Sequence, residues 1–294
     1  MSSARESAAL VALLRLDRRP WHEYAEAVER AGSALTVLEA ELTDDRGQAT
    51  LLPEAPEPLL ARAAADIDSW RSDGLQLLSV LDGAYPPNLR TVHDRPPLLF
   101  VAGSLTPADA RSVAVVGARR ASRGGRATAA SIAEALARAG YVVVSGLAAG
   151  IDTAAHEAAL AAGGRTVAVI GTGLRHSYPP ENAALQREIA AVGAVVSQFW
   201  PDAPPTRTSF PLRNAVMSGL ALGTVVVEAS FRSGARVQAR LALGHGRPVF
   251  LWQALLDEPW AREFARRPGV YVVDDAAQVM RTVERLDALD ELVE

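Results

Sequence analysis

The sequence predicts an α/β fold, a doubly wound and mostly parallel Rossmann-like sheet (an extended Rossmann fold) preceded by a small helical module. Val-rich runs recur after residue 111, each is continuously apolar, and each is followed by a helical pattern: SVAVVG, YVVVSG, TVAVIG, GAVVSQ, TVVVEA, RPVFLW and GVYVV. Strands of a parallel sheet look like this because helices bury both of its faces. Ligands of such sheets bind beyond the carboxyl ends of the strands.

The first element in the chain is a helical module over residues 1–72. Apolar residues are spaced at three and four between residues 8 and 60, with interruptions at Pro20 and Gly32. The stretch LLPEAPEPLL, residues 51–60, contains three prolines and predicts a loop or linker. The next helix is expected over residues 59–72.

The second predicted unit is the Rossmann-like domain over residues 73–294. Two short apolar runs between residues 75 and 103, LQLLSVL and PPLLFVAG, are expected to form strands at one edge of the sheet. The core of the sheet is expected within residues 111–290.

Composition limits the function classes. The 294 residues carry a formal net charge of -4, which excludes a globally basic nucleic-acid binder but not a local basic patch. All 30 basic residues are Arg. The absence of Cys excludes disulfides and thiolate metal sites and favours a cytoplasmic protein. The five His show no metal-ligand spacing, so no metal site is expected, and no apolar run reaches the ~18 residues needed to cross a membrane.

The first strand end, GARRASRGGR at residues 117–126, predicts a phosphate site. Glycines permit close approach, the following helix offers free N–H groups, and arginines add positive charge. The candidate binding residues are Gly117, Arg119, Arg120 and Arg123. Because the spacing differs from that of a dinucleotide fingerprint and no acidic residue is placed to bind a ribose, no cofactor is expected.

The second strand end contains Asp152, a candidate helix cap, one turn before His156. The two side chains are either an acid/base pair or, as we favour, structural groups. Glu228, at the end of the fifth Val-rich run, has the same two interpretations. No catalytic residue is predicted.

The other strand ends also combine glycines with polar or cationic residues. Their candidate DNA- or phosphate-binding residues are Ser145, Gly146, Gly171, Gly173, Tyr178, Asn182, Arg213, Asn214, Ser233, Gly234 and Arg236. Arginines at several neighbouring strand ends indicate an anionic ligand longer than one mononucleotide. Single-stranded DNA is such a ligand.

Together these segments resemble the DNA-processing protein A (DprA, also called Smf) family. The matching motifs are V-A-V-V-G-x-R at 113–119, S-G-x-A-x-G-I-D-x-x-A-H at 145–156, G-x-G-x-x-x-x-Y-P-x-x-N at 171–182, F-P-x-R-N at 210–214, V-V-E-A at 226–229 and S-G at 233–234. They occur in the family's order across roughly residues 75–250, which makes the resemblance far more specific than a single motif.

The resemblance implies a cytoplasmic, homodimeric protein that binds single-stranded DNA without catalysis and helps to load a RecA-type recombinase in natural transformation. Arg119 and Arg213 would contact phosphates. The residues that would give backbone room for these contacts are Gly117, Ser145, Gly146, Gly171 and Gly173. The candidate stacking platforms are Tyr178, Phe210 and Phe231, with a core role for Phe210 equally open.

The sequence departs from the family pattern at several places. Ala215 replaces the second Arg of R-N-R, and LWQALLDEPW stands where the family has a Pro-Gly loop. A nucleotide sensor or nucleotide N-glycosidase (phosphoribohydrolase) is therefore the alternative. It is disfavoured because GLALGTVVVE lacks that group's full glycine motif and places Glu228 one residue too far along.

Overall fold

The structure is a computed structural model that describes residues 4–43 and 55–290. The first part of the predicted Pro-rich linker, residues 51–54, lies outside the described residues. Within them, no helix has the length and apolar character needed to cross a membrane.

The described residues form one nine-stranded sheet in the order β1-β2-β6-β5-β4-β3-β7-β8-β9. The strands are β1 (Gln76–Ser79), β2 (Leu98–Gly103), β3 (Ser112–Val116), β4 (Val142–Ser145), β5 (Thr166–Val169), β6 (Ala194–Ser197), β7 (Gly223–Val226), β8 (Val249–Trp252) and β9 (Val270–Val273). Strands β3 to β9 are mutually parallel, whereas β1 and β2 add antiparallel strands at one edge. The predicted fold class is confirmed.

The order of the strands reverses between β3 and β7. After β3 the chain adds β4, β5 and β6 on one side, and β7, β8 and β9 then extend the sheet on the other side. Val116 of β3 pairs with Val226 of β7, so the two loops that follow diverge from adjacent positions. Such a switch point opens a crevice at the carboxyl ends of the strands.

Helices cover both faces of the sheet. They are α1 (Ala4–Leu16), α2 (Trp21–Ala31), α3 (Ala34–Thr43), α4 (Pro56–Ser72), α5 (Pro87–Arg90), α6 (Arg123–Arg138), α7 (Ile151–Ala161), α8 (Ala183–Val192), α9 (Ser209–Leu220), α10 (Gly234–Gly244), α11 (Pro259–Phe264) and α12 (Ala276–Asp290). In β3, Val113 and Val115 belong to one apolar cluster, whereas Ala114 and Val116 belong to the other. Both sets are buried, which explains why the strand sequences do not alternate.

The N-terminal helices pack onto the edge of the sheet. Trp70 of α4 contacts Phe100 of β2, with ring centroids 5.0 Å apart, and one apolar cluster joins Leu10 and Leu13 of α1 to that strand. The division of the chain at residue 72 stays a prediction.

The start of α4 differs from the sequence prediction. The helix begins at Pro56 instead of residue 59. Pro56 and Pro58 both fall in its first turn, where the backbone N–H groups have no intrahelical acceptor and proline costs no hydrogen bond. The expectation that these prolines break the helix was therefore wrong.

Candidate nucleic-acid interface

A cavity of about 890 Å³ opens at the switch point, beyond the carboxyl ends of β3 and β7. The loop after β3 contributes Arg119 and Arg120, and the loop after β7 contributes Glu228 and Arg232. The N-terminal end of α10 contributes Gly234. The predicted strand-end segments therefore do meet at one place.

A carboxylate of the same chain binds at the N-terminal end of α6. Ser122 caps the helix by accepting the N–H of Gly125 at 2.9 Å. Its own N–H lies 3.1 Å from both carboxylate oxygens of Glu228, and its hydroxyl donates to Oε2 at 2.7 Å. A Cβ on Gly125 would overlap that oxygen. Glu228 therefore occupies the position where the sequence predicts a phosphate.

A smaller pocket of about 140 Å³ adjoins the cavity and holds the exposed cation and aromatic rings. The guanidinium of Arg119 lies 4.9 Å from the ring centroid of Phe210 and 6.0 Å from that of Tyr178. The two rings are 5.6 Å apart, and Tyr178 is 40% exposed. We call these three residues the pocket rim. A cation beside two aromatic faces can bind a phosphate and stack a base.

The Phe210 ring is half-buried, so it can both pack in the core and act as a stacking platform, the two roles that the sequence left open. One side packs on Gly171, where a Cβ would lie 2.8 Å from the ring, and the other side faces Tyr178 and Arg119. Gly171 thus makes room for the Phe210 ring, which lines the small pocket.

Arg213 lies beneath the pocket, with only 6% of its surface exposed. Its Nη1 donates to the carbonyl of Val169 at 2.8 Å. A Cβ on Gly146 would overlap the guanidinium, so this glycine gives room to Arg213 where the sequence predicted room for DNA. Burial lowers the pKa of Arg213, the Asp152 carboxylate opposes this, and Arg119 adds to it.

Asp152 and His156 contact different partners. Asp152 accepts the N–H of Ala148 at 3.4 Å; burial raises its pKa, whereas Arg213 lowers it. His156 is fully buried with Nδ1 2.7 Å from the Thr166 hydroxyl, and burial lowers its pKa to about 3. A neutral, enclosed imidazole cannot exchange protons with a ligand near pH 7. These contacts favour the structural interpretation of His156, while Asp152 also lines the larger cavity.

Three further predicted residues, Ser145, Gly173 and Asn182, do not belong to the lining of either cavity. Ser145 donates to the carbonyl of Val115 at 2.6 Å, and Asn182 donates to the carbonyl of Leu147 at 2.9 Å. A Cβ on Gly173 would overlap a backbone oxygen. Their polar or small character serves the fold.

The start of α10 forms the opposite wall of the larger cavity. Ser233 caps the helix by accepting the N–H of Ala235 at 3.2 Å, and Asn214 of α9 donates to the carbonyl of Gly234 at 3.3 Å. Arg236 stacks on Phe231 at 4.0 Å, outside the cavity lining. Gly117 lines the cavity, but Arg123, although exposed, does not.

Sequence reasoning missed three charged residues that line the larger cavity. Arg232 directly precedes the predicted Ser233 but is not among the predicted binding residues. Asp257 and Glu258 come from LWQALLDEPW, the segment that departs from the family pattern. Together with Glu228 they give the larger cavity a mixed charge, whereas the described lining of the small pocket carries Arg119 and Arg213 as its charged side chains.

The family sequence model of the DNA recombination-mediator protein A matches residues 76–286. The chain belongs to this family. DNA processing protein DprA of Streptococcus pneumoniae is 44% identical over 172 residues, which are 58% of this chain and 61% of that relative. The matched part therefore spans less than two thirds of this curated family member. The resemblance predicted from the motifs is confirmed.

Two solved structures of the family share the fold. The X-ray structure of DprA from Streptococcus pneumoniae superposes with a TM-score of 0.69 at 31% identity, covering 95% of both chains. DprA from Helicobacter pylori superposes with a TM-score of 0.64 at 27% identity, covering 72% of this chain and 96% of the other. The latter structure is described by its unique single-stranded DNA binding mode.

Proposed function

We propose that the chain binds single-stranded DNA at the pocket rim, as a DprA-type protein that protects incoming strands and helps to load a RecA-type recombinase. The observation that carries the proposal is the exposed guanidinium of Arg119 against the ring of Phe210, 4.9 Å from its centroid. The single-stranded DNA binding mode of the Helicobacter pylori relative supports the same ligand.

The physical basis is a combination of charge and stacking. Arg119 offers a cation to a backbone phosphate, while Tyr178 and Phe210 offer ring faces to the neighbouring bases. The buried cation of Arg213 adds positive potential from below, because little solvent screens it. A local cationic site of this kind is compatible with the net charge of -4, because binding depends on where the positive charges cluster.

The proposed activity is binding without a chemical step. For base release, Glu228 is the carboxylate that the sequence offers, and it is bonded to the backbone and hydroxyl of Ser122. Its position therefore favours binding over N-glycosidic hydrolysis. The RecA-type partner and the homodimer implied by the family remain predictions within this proposal.

The test is binding of a fluorescent oligo-dT to the full chain over a series of salt concentrations. We expect Arg119→Ala to weaken binding about tenfold and to reduce the salt slope by about one, because one phosphate contact is lost. Arg62→Ala, which removes an exposed cation on the distant helix α4, is the matched control and should bind like the parent. Thermal melting checks that each variant is folded.

Two results contradict the proposal. The first is an unchanged oligonucleotide affinity of a folded Arg119→Ala variant, since the site would then lie elsewhere. The second is release of free base from nucleoside monophosphates by the parent chain, which would replace binding with hydrolysis.

A further inference from the structure

We propose that His93, Asp94 and His245 form a binding site for one divalent transition-metal ion of the zinc type, away from the DNA pocket. His93 and Asp94 lie between α5 and β2, and His245 directly follows α10. One potential ligand atom from each residue lies within 4.8 Å of the other two. Local spacing rules cannot find such a site because its ligands come from distant parts of the chain.

The ligand set suits zinc. Two imidazoles and a carboxylate are nitrogen and oxygen donors that this ion accepts in three-ligand sites with an open position. His245 Nε2 and Asp94 Oδ1 are 2.8 Å apart, and the two imidazole rings meet edge to face at 5.5 Å. Tetrahedral coordination spaces ligand atoms by about 3.4 Å. A small side-chain rotation therefore admits the ion.

The hydrogen bonds of His245 aim its free nitrogen at the site. Its Nδ1 lies 2.8 Å from the Ser218 hydroxyl, which can donate its proton to the carbonyl of Ala215 at 3.0 Å. In that orientation the hydroxyl accepts from Nδ1, as in the outer shell of a metal-bound histidine, and Nε2 faces the Asp94 carboxylate as an acceptor. When the hydroxyl donates to Nδ1 instead, Nε2 carries the proton and faces Asp94 as a donor.

At a separation of 2.8 Å, His245 Nε2 and Asp94 Oδ1 need either a proton or a metal ion between them. Within the described part of the chain, neither His245 Nε2 nor Asp94 Oδ1 has a hydrogen-bond partner of acceptable geometry, although both atoms are buried. A metal ion satisfies both atoms at once. The competing arrangement is a proton on Nε2 that donates to Asp94, from either a neutral or a charged imidazole.

The site is open on one side. The His245 side chain is 1% exposed, that of Asp94 is 27% exposed, and His93 is exposed at the surface. An ion would enter past His93 and keep water on its open positions. Through Ser218 it would brace α9, the helix that carries Phe210 and Arg213.

The experiment measures zinc binding by the full chain after treatment with a chelator. Competition with a chromogenic chelator gives the affinity and the stoichiometry, and thermal melting with and without zinc gives the stabilisation. We expect one zinc per chain and a higher Tm with zinc. Asp94→Asn and His245→Asn should each lower zinc affinity at least tenfold. His22→Gln, a change in an exposed histidine on α2, is the control and should bind like the parent.

The Asp94→Asn variant distinguishes a bound metal ion from a proton shared by His245 Nε2 and Asp94. If zinc affinity falls and the zinc-dependent rise in Tm disappears, the metal site is supported. If Asp94→Asn lowers the Tm of the metal-free chain but leaves zinc affinity unchanged, the pair shares a proton and the proposal is overturned. Absence of zinc binding by the parent overturns it as well.

Discussion

The motifs around the switch point divide into an exposed region and a buried region. The pocket rim presents Arg119, Tyr178 and Phe210 to a ligand. A buried polar layer of Arg213, Asp152 and His156 lies beneath, each residue at most 6% exposed. Residues of the same sequence motifs are therefore expected to differ in role, with ligand binding at the pocket rim and fold stability in the buried polar layer. Substitutions in the rim should change affinity, whereas substitutions in the layer should change stability.

The largest expected effect lies in the buried polar layer and depends on pH. Because burial lowers the pKa of His156 from 6.5 to about 3, the unfolded chain binds a proton that the folded chain excludes. The stability contributed by the neutral imidazole is complete above pH 6.5 and is lost as the pH falls towards 3. From about pH 7.5 to about pH 5 this amounts to roughly 2 kcal/mol.

The measurement is urea unfolding of the parent and His156→Asn over that pH range. We expect the parent to lose stability more steeply than the variant, which removes the titrating group. An NMR titration of the His156 ring is the independent check. A ring that titrates near its ordinary pKa would place His156 in contact with solvent and break the distinction between the two regions.

The sequence predicts the strands correctly where the burial of a segment determines its secondary structure. All seven predicted Val-rich runs form strands. Continuous apolar segments suit the strands that are covered on both faces, whereas the edge strand β9 leaves Val272 40% exposed. The predicted binding residues Arg119 and Tyr178 lie at one pocket, since strand ends converge at a switch point, and their role in binding stays a prediction.

The sequence could not reveal contacts between distant segments. Gly146, a predicted DNA-binding residue, lines the small pocket and also makes room for the Arg213 guanidinium. Glu228 lies 106 residues from Ser122, the group it binds. Glycines and carboxylates of this kind look alike in sequence whether their partner is a ligand or the chain itself. Only the packing of the loops separates the two cases.

An intermediate effect is expected at the pocket rim itself. Phe210→Leu keeps an apolar side chain on Gly171 but removes the flat ring face. We expect oligo-dT binding to weaken about fivefold, near 1 kcal/mol, because stacking of a base on a ring contributes about 1–3 kcal/mol. Phe231→Leu is the matched control because Phe231 is 60% exposed on the far side of the larger cavity. Anisotropy titrations at one salt concentration compare the two.

Comparison with the Phe231→Leu control also shows how far the DNA-binding site extends. Equal losses in both variants would extend the DNA path across the larger cavity to α10. A loss confined to Phe210→Leu would restrict it to the small pocket. An unchanged affinity of Phe210→Leu would contradict the assignment of this ring as a stacking platform.

The smallest effect is expected at Glu228, which lines the larger cavity and binds Ser122. Glu228→Gln keeps the shape of the side chain but removes the charge that compensates the start of α6. We expect stability to fall by about 0.5–1 kcal/mol and oligonucleotide affinity to rise about twofold, because a negative charge near Arg119 and Arg120 is lost while solvent screens most of the gain. Urea unfolding and anisotropy titration measure the two changes. A rise in affinity of tenfold or more would mean that a phosphate competes with Glu228 for the helix start, and that this part of the cavity belongs to the ligand and not to the fold.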